Sequence, residues 1–300
     1  MNSSILPSNG SQITNSKTIE HIKLALALLI VACFGFFLYF MVVMLSVFFS
    51  TPHIRENARY VLFTHMLIND TSYLVLGITL MIMSIYRVPI PGPICYVLVT
   101  MGSATFRTTA YNLSAMAIER YVAICHPLHH GRLCTVQRAH WAIAFMWLLT
   151  FIPSVVDLSL ILSSTTRLSS LNVPCSQEAM VVNPIQNIIK SISRIISLTS
   201  VGLIILYTYI KIVLVARKVS SRSSSASQAG RTVILHAFQL LLCMADLLTT
   251  LPITYQNQFL PLVNFLLYSC VPRFLSPLIY GLRDEMLRSY IKQTVKRHLI

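Results

Sequence analysis

The sequence predicts an all-α membrane protein, a bundle of seven transmembrane helices followed by a short amphipathic helix. Of its 300 residues, 55% are hydrophobic and only 11% are charged, which excludes an ordinary water-soluble domain and a disordered chain. The apolar residues fall in seven long blocks separated by short polar stretches. Each block reaches the ~20 residues that a helix needs to cross a bilayer core about 30 Å thick.

The seven blocks define the predicted domain organisation. We place the spans at residues 22–49, 58–86, 93–125, 139–162, 187–215, 232–255 and 259–282. Residues 22–282 then form the transmembrane domain, between an amino-terminal tail at 1–21 and a carboxyl-terminal segment at 283–300. This last segment has apolar residues on one helical face and basic residues on another, which predicts an amphipathic helix on the membrane surface.

The positions of basic residues predict the orientation. Cytoplasmic loops carry an excess of Lys and Arg, and most of the 23 fall in one set of alternate loops and the carboxyl-terminal tail. The opposite loops hold only Lys17, Lys23, Arg87 and Arg167. We therefore expect the amino terminus outside and the carboxyl terminus in the cytoplasm. We therefore expect much of the basic excess behind the net charge of +14 to face membrane lipid and a cytosolic partner, not nucleic acid.

The amino-terminal tail predicts glycosylation. Residues 1–21 lack the features of a signal peptide, so we expect the first span to act as an uncleaved anchor. Asn2 and Asn9 each begin an Asn-X-Ser sequon in the part of the chain that we place outside. Both are candidate glycosylation sites.

The cysteines predict one disulfide bond. Of the seven, only Cys95 and Cys175 fall near the outer face, where oxidation is permitted. A bond between them would join the loop after span four to the top of span three. We expect the other five to be reduced packing residues.

A motif at the inner end of span three identifies a resemblance. Residues 116–128 read Met-Ala-Ile-Glu-Arg-Tyr-Val-Ala-Ile-Cys-His-Pro-Leu, which strongly resembles the MAYDRYVAICxPL signature of olfactory receptors, within the rhodopsin-like G-protein-coupled receptors. Asp70, Cys95, Trp147, Tyr207 and the segment 276–283 extend the resemblance over nearly the whole chain.

Two segments depart from the usual olfactory pattern. Met41 and Ser276 stand where the family commonly has Asn, and the expected motif of span six is replaced at residues 231–244. That segment and residues 272–277 look more like the divergent fish-type odorant receptors.

The resemblance implies a rhodopsin-like, multi-pass protein of the plasma membrane without a cofactor. It implies that a small-molecule odorant binds in the outer half of the bundle and that a heterotrimeric G protein of the stimulatory, olfactory type binds inside. The triplet Glu119, Arg120 and Tyr121 would be the switch, because adjacent acid and guanidinium groups can neutralise each other or part when a partner binds. In this family Arg120 would meet the G protein while Tyr207 and Tyr280 move inward.

Other classes of protein remain as alternatives or are excluded. A receptor for a non-odour ligand would share this fold, and a small transporter could use the same spans, although the sequence shows no repeated halves. No phosphate loop, no nucleophile with an evident base and no metal-binding His pair is apparent, so we expect neither an enzyme nor a metal site. An interfacial ion pair without a switching function is the alternative for the triplet.

Asp70 and Arg273 are charged residues near the middle of spans two and seven. Charges inside a bilayer are costly and indicate function, and the resemblance implies that these positions lie close together. We expect a buried polar pair in which the guanidinium replaces the sodium ion that many relatives hold beside this Asp. Alternatively, Arg273 faces other polar groups or water.

Further charged residues predict the ligand site. Arg107 in span three and Lys190 and Arg194 in span five would make the outer cavity cationic and suited to an anionic ligand such as a carboxylate. Phe106 and Tyr255 are candidates for its lining. Alternatively, Asp157 and Glu178 neutralise the cations, or Lys190 extends to the interface.

Overall fold

The computed structural model describes residues 9–86, 88–163, 172–175, 181, 184–219 and 263–274. Its helices are, in chain order, α1 (Asn9–Ser50), α2 (Pro52–Arg55), α3 (Ala58–Ile85), α4 (Gly92–Cys125), α5 (Pro127–Leu133), α6 (Val136–Ser163) and α7 (Pro184–Val219). A further helical segment, α8, covers residues 263–274. Two strands, β1 (Pro89–Pro91) and β2 (Asn172–Pro174), pair antiparallel.

The long helices correspond to predicted spans. Helices α1, α3, α4, α6 and α7 match spans one to five, and α8 lies within span seven. Helix α1 begins at Asn9, well before residue 22, because residues 11–21 contain neither Pro nor Gly to end a helix that the apolar part has nucleated. Span six and the tail at 283–300 lie outside the described residues.

Four helices in the described part are long and apolar enough to cross a membrane. Their apolar stretches are Leu28–Ser50 in α1, Ala58–Ser84 in α3, Val136–Ser163 in α6 and Pro184–Val215 in α7. Their large exposed side chains include Phe36, Leu148 and Leu203. In a bilayer such side chains face lipid. Because lipid tails are as apolar as the protein interior, this exposure has no hydrophobic cost.

Helix α4 differs because it is the central helix of the described bundle. It packs against α3, α6 and α7, and its buried residues include Thr105, Thr108, Thr109 and Asn112. Polar side chains lower its apolar character, but they face protein rather than lipid. This position explains how a less apolar helix can lie inside the bundle.

Hydrogen bonds between helices fix their mutual positions. The amide of Asn112 on α4 donates to the carbonyl of Leu62 on α3 at 3.0 Å, and the Tyr111 hydroxyl donates to Ser197 Oγ on α7 at 2.8 Å. The indole Nε1 of Trp147 on α6 donates to Nε2 of His65 on α3 at 3.0 Å. Each such bond contributes about 1 kcal/mol in a membrane, so together they define the packing.

The predicted disulfide bond between Cys95 and Cys175 is confirmed. Both residues are buried, and their Cα atoms are 5.5 Å apart. The small ribbon of β1 and β2 lies beside the bond and pairs Pro89 with Pro174, which the sequence did not predict. The outer end of α4 is thereby tied to the chain that follows α6.

Residues Phe265–Cys270 of α8 form a π-helical turn that packs against Gly77 of α3. A Cβ atom at Gly77 would lie 2.7 Å from Cε2 of Phe265, which is closer than two carbon atoms can approach without movement. Gly77 therefore permits the close contact between the second and seventh spans.

We expect Gly77→Ala to lower the thermal midpoint of the purified receptor, because Phe265 must move and overpacking typically costs about 1–3 kcal/mol. The matched control is Gly35→Ala in α1, where a new Cβ would meet nothing within 4 Å. That change should be neutral or stabilising, since Ala favours a helix by about 1 kcal/mol over Gly. Equal midpoints for the two variants would contradict the proposed contact.

Candidate functional site

The structure places Arg107 in the amino-terminal half of α4, turned towards α6. Its side chain is buried, with 6% of its surface exposed. Nη2 donates to the carbonyl of Thr150 at 2.9 Å and to Ser154 Oγ at 3.4 Å. Nε, which is also buried, has no hydrogen-bond partner in the described part of the chain. The guanidinium is thus held by neutral oxygen atoms on one side only.

Lys190 is neutralised rather than available to a ligand. Its Nζ lies 3.1 Å from Oδ1 of Asp157, and the amide of Gln186 donates to the same oxygen at 3.0 Å. For Lys190, the alternative in which Asp157 neutralises a cation of span five is therefore the one observed. Lys190 does not add positive charge to a ligand cavity. Arg194, one turn further along α7, is half-buried and acts electrostatically on Arg107.

The predicted ligand residue Phe106 lies next to an aromatic and cationic cluster. Its ring centroid is 6.1 Å from that of Tyr73 on α3, and Cζ of Arg273 lies 3.6 Å from the Tyr73 ring centroid and 5.6 Å from that of Phe106. A guanidinium at these distances interacts favourably with the electron-rich ring faces. The other aromatic candidate, Tyr255, lies outside the described residues.

Asp70 and Arg273 are brought together in the middle of the bundle. Nε of Arg273 lies 3.8 Å from Oδ1 of Asp70, and neither side chain has any exposed surface. Thr109 on α4 donates a hydrogen bond of 2.7 Å to the same carboxylate oxygen. Nη1 of Arg273 donates to the carbonyl of Ser269 at 2.6 Å. The cluster therefore joins the second, third and seventh spans.

Near the carboxyl-terminal end of α4, Glu119 pairs with a residue that the sequence did not indicate. Nε2 of His130 on α5 lies 3.0 Å from Oε1 of Glu119, whose side chain is 7% exposed. Within the described residues Glu119 has no ion pair with Arg120, because adjacent residues of a helix project in different directions. Glu119 thus has an ion-pair partner outside the triplet, on α5.

The third member of the triplet also contacts α5. The Tyr121 hydroxyl and Nε2 of His126, the residue just before α5, are 3.3 Å apart. The Tyr121 ring centroid is 6.2 Å from that of Tyr207 on α7, so these two predicted switch residues do meet. Arg120 is half-buried, and Tyr280 lies outside the described residues.

Glu119 also acts on the loop after α5. Burial, assisted by the negative charge of Glu119, raises the pKa of the Cys134 thiol, and Arg138 opposes this. A raised pKa favours the protonated thiol over the more reactive thiolate, and Cys134 forms no disulfide bond. Asn9, a predicted glycosylation site, is the first residue of α1, and Asn2 lies outside the described residues.

Sequence reasoning missed His130 and Tyr73 as site residues. His130 was visible only as one of three loop histidines, and nothing in its spacing indicates that it reaches back to Glu119. Tyr73 lies three residues after Asp70, so helical periodicity alone places it near that carboxylate. The spacing of three residues from Asp70 was therefore a signal in the sequence that could have identified Tyr73.

Comparisons with known proteins identify the class of protein. The family model of the seven-transmembrane receptor (rhodopsin family) matches residues 41–280. Odorant receptor 131-2 of Danio rerio is 30% identical over 289 residues, which cover 92% of this chain and 86% of that protein. Olfactory receptor 6N1 of Homo sapiens is 27% identical over 208 residues, or 63% of this chain and 64% of its own. Olfactory receptor 7A40 of Mus musculus is 30% identical over 194 residues, or 62% of each.

Since the family model spans most of the sequence, the chain belongs to the rhodopsin family of seven-transmembrane receptors. Within that family this chain is similar to odorant and olfactory receptors, and the match to the fish protein covers nearly the whole of this chain. The predicted seven-helix fold and the resemblance seen at residues 116–128 are confirmed. The chain is accordingly a multi-pass protein of the plasma membrane and not an enzyme.

The Asp70 and Arg273 cluster generates a prediction about stability. Removing one partner of a buried ion pair strands a charge and typically costs about 3–5 kcal/mol, so Asp70→Asn or Arg273→Met should sharply reduce surface expression and thermal midpoint. The double variant should recover part of the loss, because it strands no charge. Purely additive losses in the midpoint would show that the two side chains are not coupled.

The contact between Glu119 and His130 predicts how firmly α5 is held. Hydrogen bonds to charged groups contribute about 1.5–3 kcal/mol, so His130→Ala should increase hydrogen–deuterium exchange across residues 128–133. His130→Gln keeps a donor and should exchange more slowly than His130→Ala. The control is His129→Ala, an exposed neighbour. Indistinguishable exchange in His130→Ala and His129→Ala would contradict the assignment.

Proposed function

We propose that the protein is a chemosensory receptor that binds a small-molecule odorant in the outer half of the bundle and activates a stimulatory, olfactory-type G protein. The observation that best supports this is the series of buried polar residues along α4, from Arg107 through Thr109 to Glu119. Such residues are expensive inside a membrane and mark functional positions. They occur at the three levels that a receptor needs: ligand site, core and cytoplasmic end.

The ligand site lies around Arg107 and Phe106. Polar oxygens of Thr150 and Ser154 face Arg107 on the side of α4 towards α6, while the rings of Phe106 and Tyr73 supply apolar surface on the side towards α3. A few directed polar groups beside aromatic rings suit a small organic molecule. The relatives are named as odorant and olfactory receptors, which favours an odorant as that molecule.

The cluster around Arg273 provides a route from the ligand site to the core. Phe106 and Tyr73 contact the guanidinium, the guanidinium pairs with Asp70, and Asp70 accepts a hydrogen bond from Thr109. A ligand that displaces the Phe106 ring therefore changes the surroundings of a buried charge. Because that charge must stay neutralised, the helices adjust together, as a two-state switch requires.

The G protein binds at the inner end of α4, on the triplet and α5. Leu128 on α5 is 95% exposed, which leaves it available for an apolar contact with a partner protein. His130 positions α5 through Glu119, so α5 and Arg120 form one surface. Binding of a partner to Arg120 and Leu128 would select the active state.

The proposal includes the predicted orientation, with the amino terminus outside, and the association of the tail helix at 283–300 with lipid. Membership of the rhodopsin family disfavours the transporter alternative. A receptor for a non-odour ligand would be revealed by activation in a broad screen by compounds other than odorants.

The proposed coupling is tested by Arg120→Ala. In cells that express the olfactory-type G protein, an odorant panel should raise cAMP through the wild type, and Arg120→Ala should abolish the response because the guanidinium contacts the G protein. Arg55→Ala, an exposed change in α2, is the control and should respond normally. Undiminished cAMP from Arg120→Ala at equal surface expression would overturn this role.

A further inference from the structure

Arg107 differs from Arg273, the other buried arginine of the described spans, in having no carboxylate partner there. Each acid of these spans already lies against a basic side chain: Asp70 against Arg273, Glu119 against His130 and Asp157 against Lys190. Within the described residues no carboxylate lies within 4 Å of Arg107, although only 6% of the surface of this residue is exposed.

The hydrogen bonds of Arg107 do not neutralise its charge. The Thr150 carbonyl and the Ser154 hydroxyl satisfy donors of Nη2, but both acceptors are neutral. Nε is buried and has no hydrogen-bond partner in the described part of the chain, so one donor of the guanidinium is unsatisfied there. Arg194 adds to the positive potential at this point. A buried cation in this condition is unfavourable when the receptor is empty.

We infer that the ligand of this receptor carries one oxyanion group, such as a carboxylate, that binds the Nε edge of Arg107. The inference rests on the proposed function and specifies its ligand class. A carboxylate that binds Nε and replaces the Ser154 hydroxyl, 3.4 Å away, at Nη2 would receive two parallel hydrogen bonds, which an amide or alcohol cannot match in charge or geometry. Lys190 is excluded as the anchor because Asp157 and Gln186 occupy it.

The first test needs no ligand and compares two variants of the purified full-length receptor. Arg107→Gln removes an unneutralised buried charge and should leave the thermal midpoint unchanged or raised. Lys190→Gln breaks a buried pair and should lower it. A fall for Arg107→Gln as large as that for Lys190→Gln would overturn the inference, since it would give Arg107 a structural counter-ion.

The second test measures cAMP in cells with monocarboxylates, each beside its primary amide and its sulfonate analogue. At equal surface expression, acids should act more potently than amides on the wild type. Arg107→Gln should weaken acids by about 10- to 100-fold while sparing neutral agonists. Arg107→Lys should restore only part of the potency, because it keeps the charge but not the two parallel bonds. Activity of the sulfonates would extend the class to other oxyanions.

The outcomes separate this inference from the proposed function. Equal or greater potency of the amides, or acid potency that Arg107→Gln leaves unchanged, would overturn the anionic ligand while the receptor still signals to odorants. Absence of a cAMP response to every member of a broad odorant panel would instead count against the proposed function itself.

Discussion

The structure depends on one constraint: a charge placed inside an apolar bundle has to be neutralised by the protein itself. The pair of Asp70 and Arg273 shows this most clearly, because neither side chain reaches solvent and the guanidinium is further enclosed by the ring of Tyr73. Such a pair does not by itself make a protein stable, since desolvation offsets much of the attraction. The pair instead makes every helix arrangement that separates the partners unfavourable. The second, third and seventh spans are therefore held in one position relative to each other.

The same constraint explains how far the sequence could be interpreted. Hydrophobic blocks gave five long helices close to their predicted positions, and the two outer-face cysteines gave the disulfide bond. The partners of the charges were harder to predict, because they depend on how each helix is rotated about its axis. Lys190 was grouped with Arg107 as a cation of the cavity, yet the rotation of α7 directs it to Asp157. Glu119 was grouped with its neighbour in sequence, whereas the chain folds back so that α5 supplies the contact.

The central position of α4 links the two ends of the receptor. One continuous helix carries Arg107, the Thr109 hydroxyl that binds Asp70, and Glu119. A helix is stiff along its axis, so a small rotation or translation imposed at one level is felt at the others. The helices around it expose large apolar side chains to lipid and can move with little change in contact energy, which makes α4 the reference against which the others shift.

The π-helical turn at Phe265–Cys270 limits how this span can evolve in length. A π-helical turn accommodates one more residue than an α-helical turn, and it lies just before Arg273. If the same residues adopted ordinary α-helical geometry, with none deleted, everything that follows would rotate by about 100° around the axis. Arg273 would then point away from Asp70 even though its identity was preserved. Receptors that share the arginine but lack the π-helical turn should therefore either be one residue shorter here or carry a different partner for the acid.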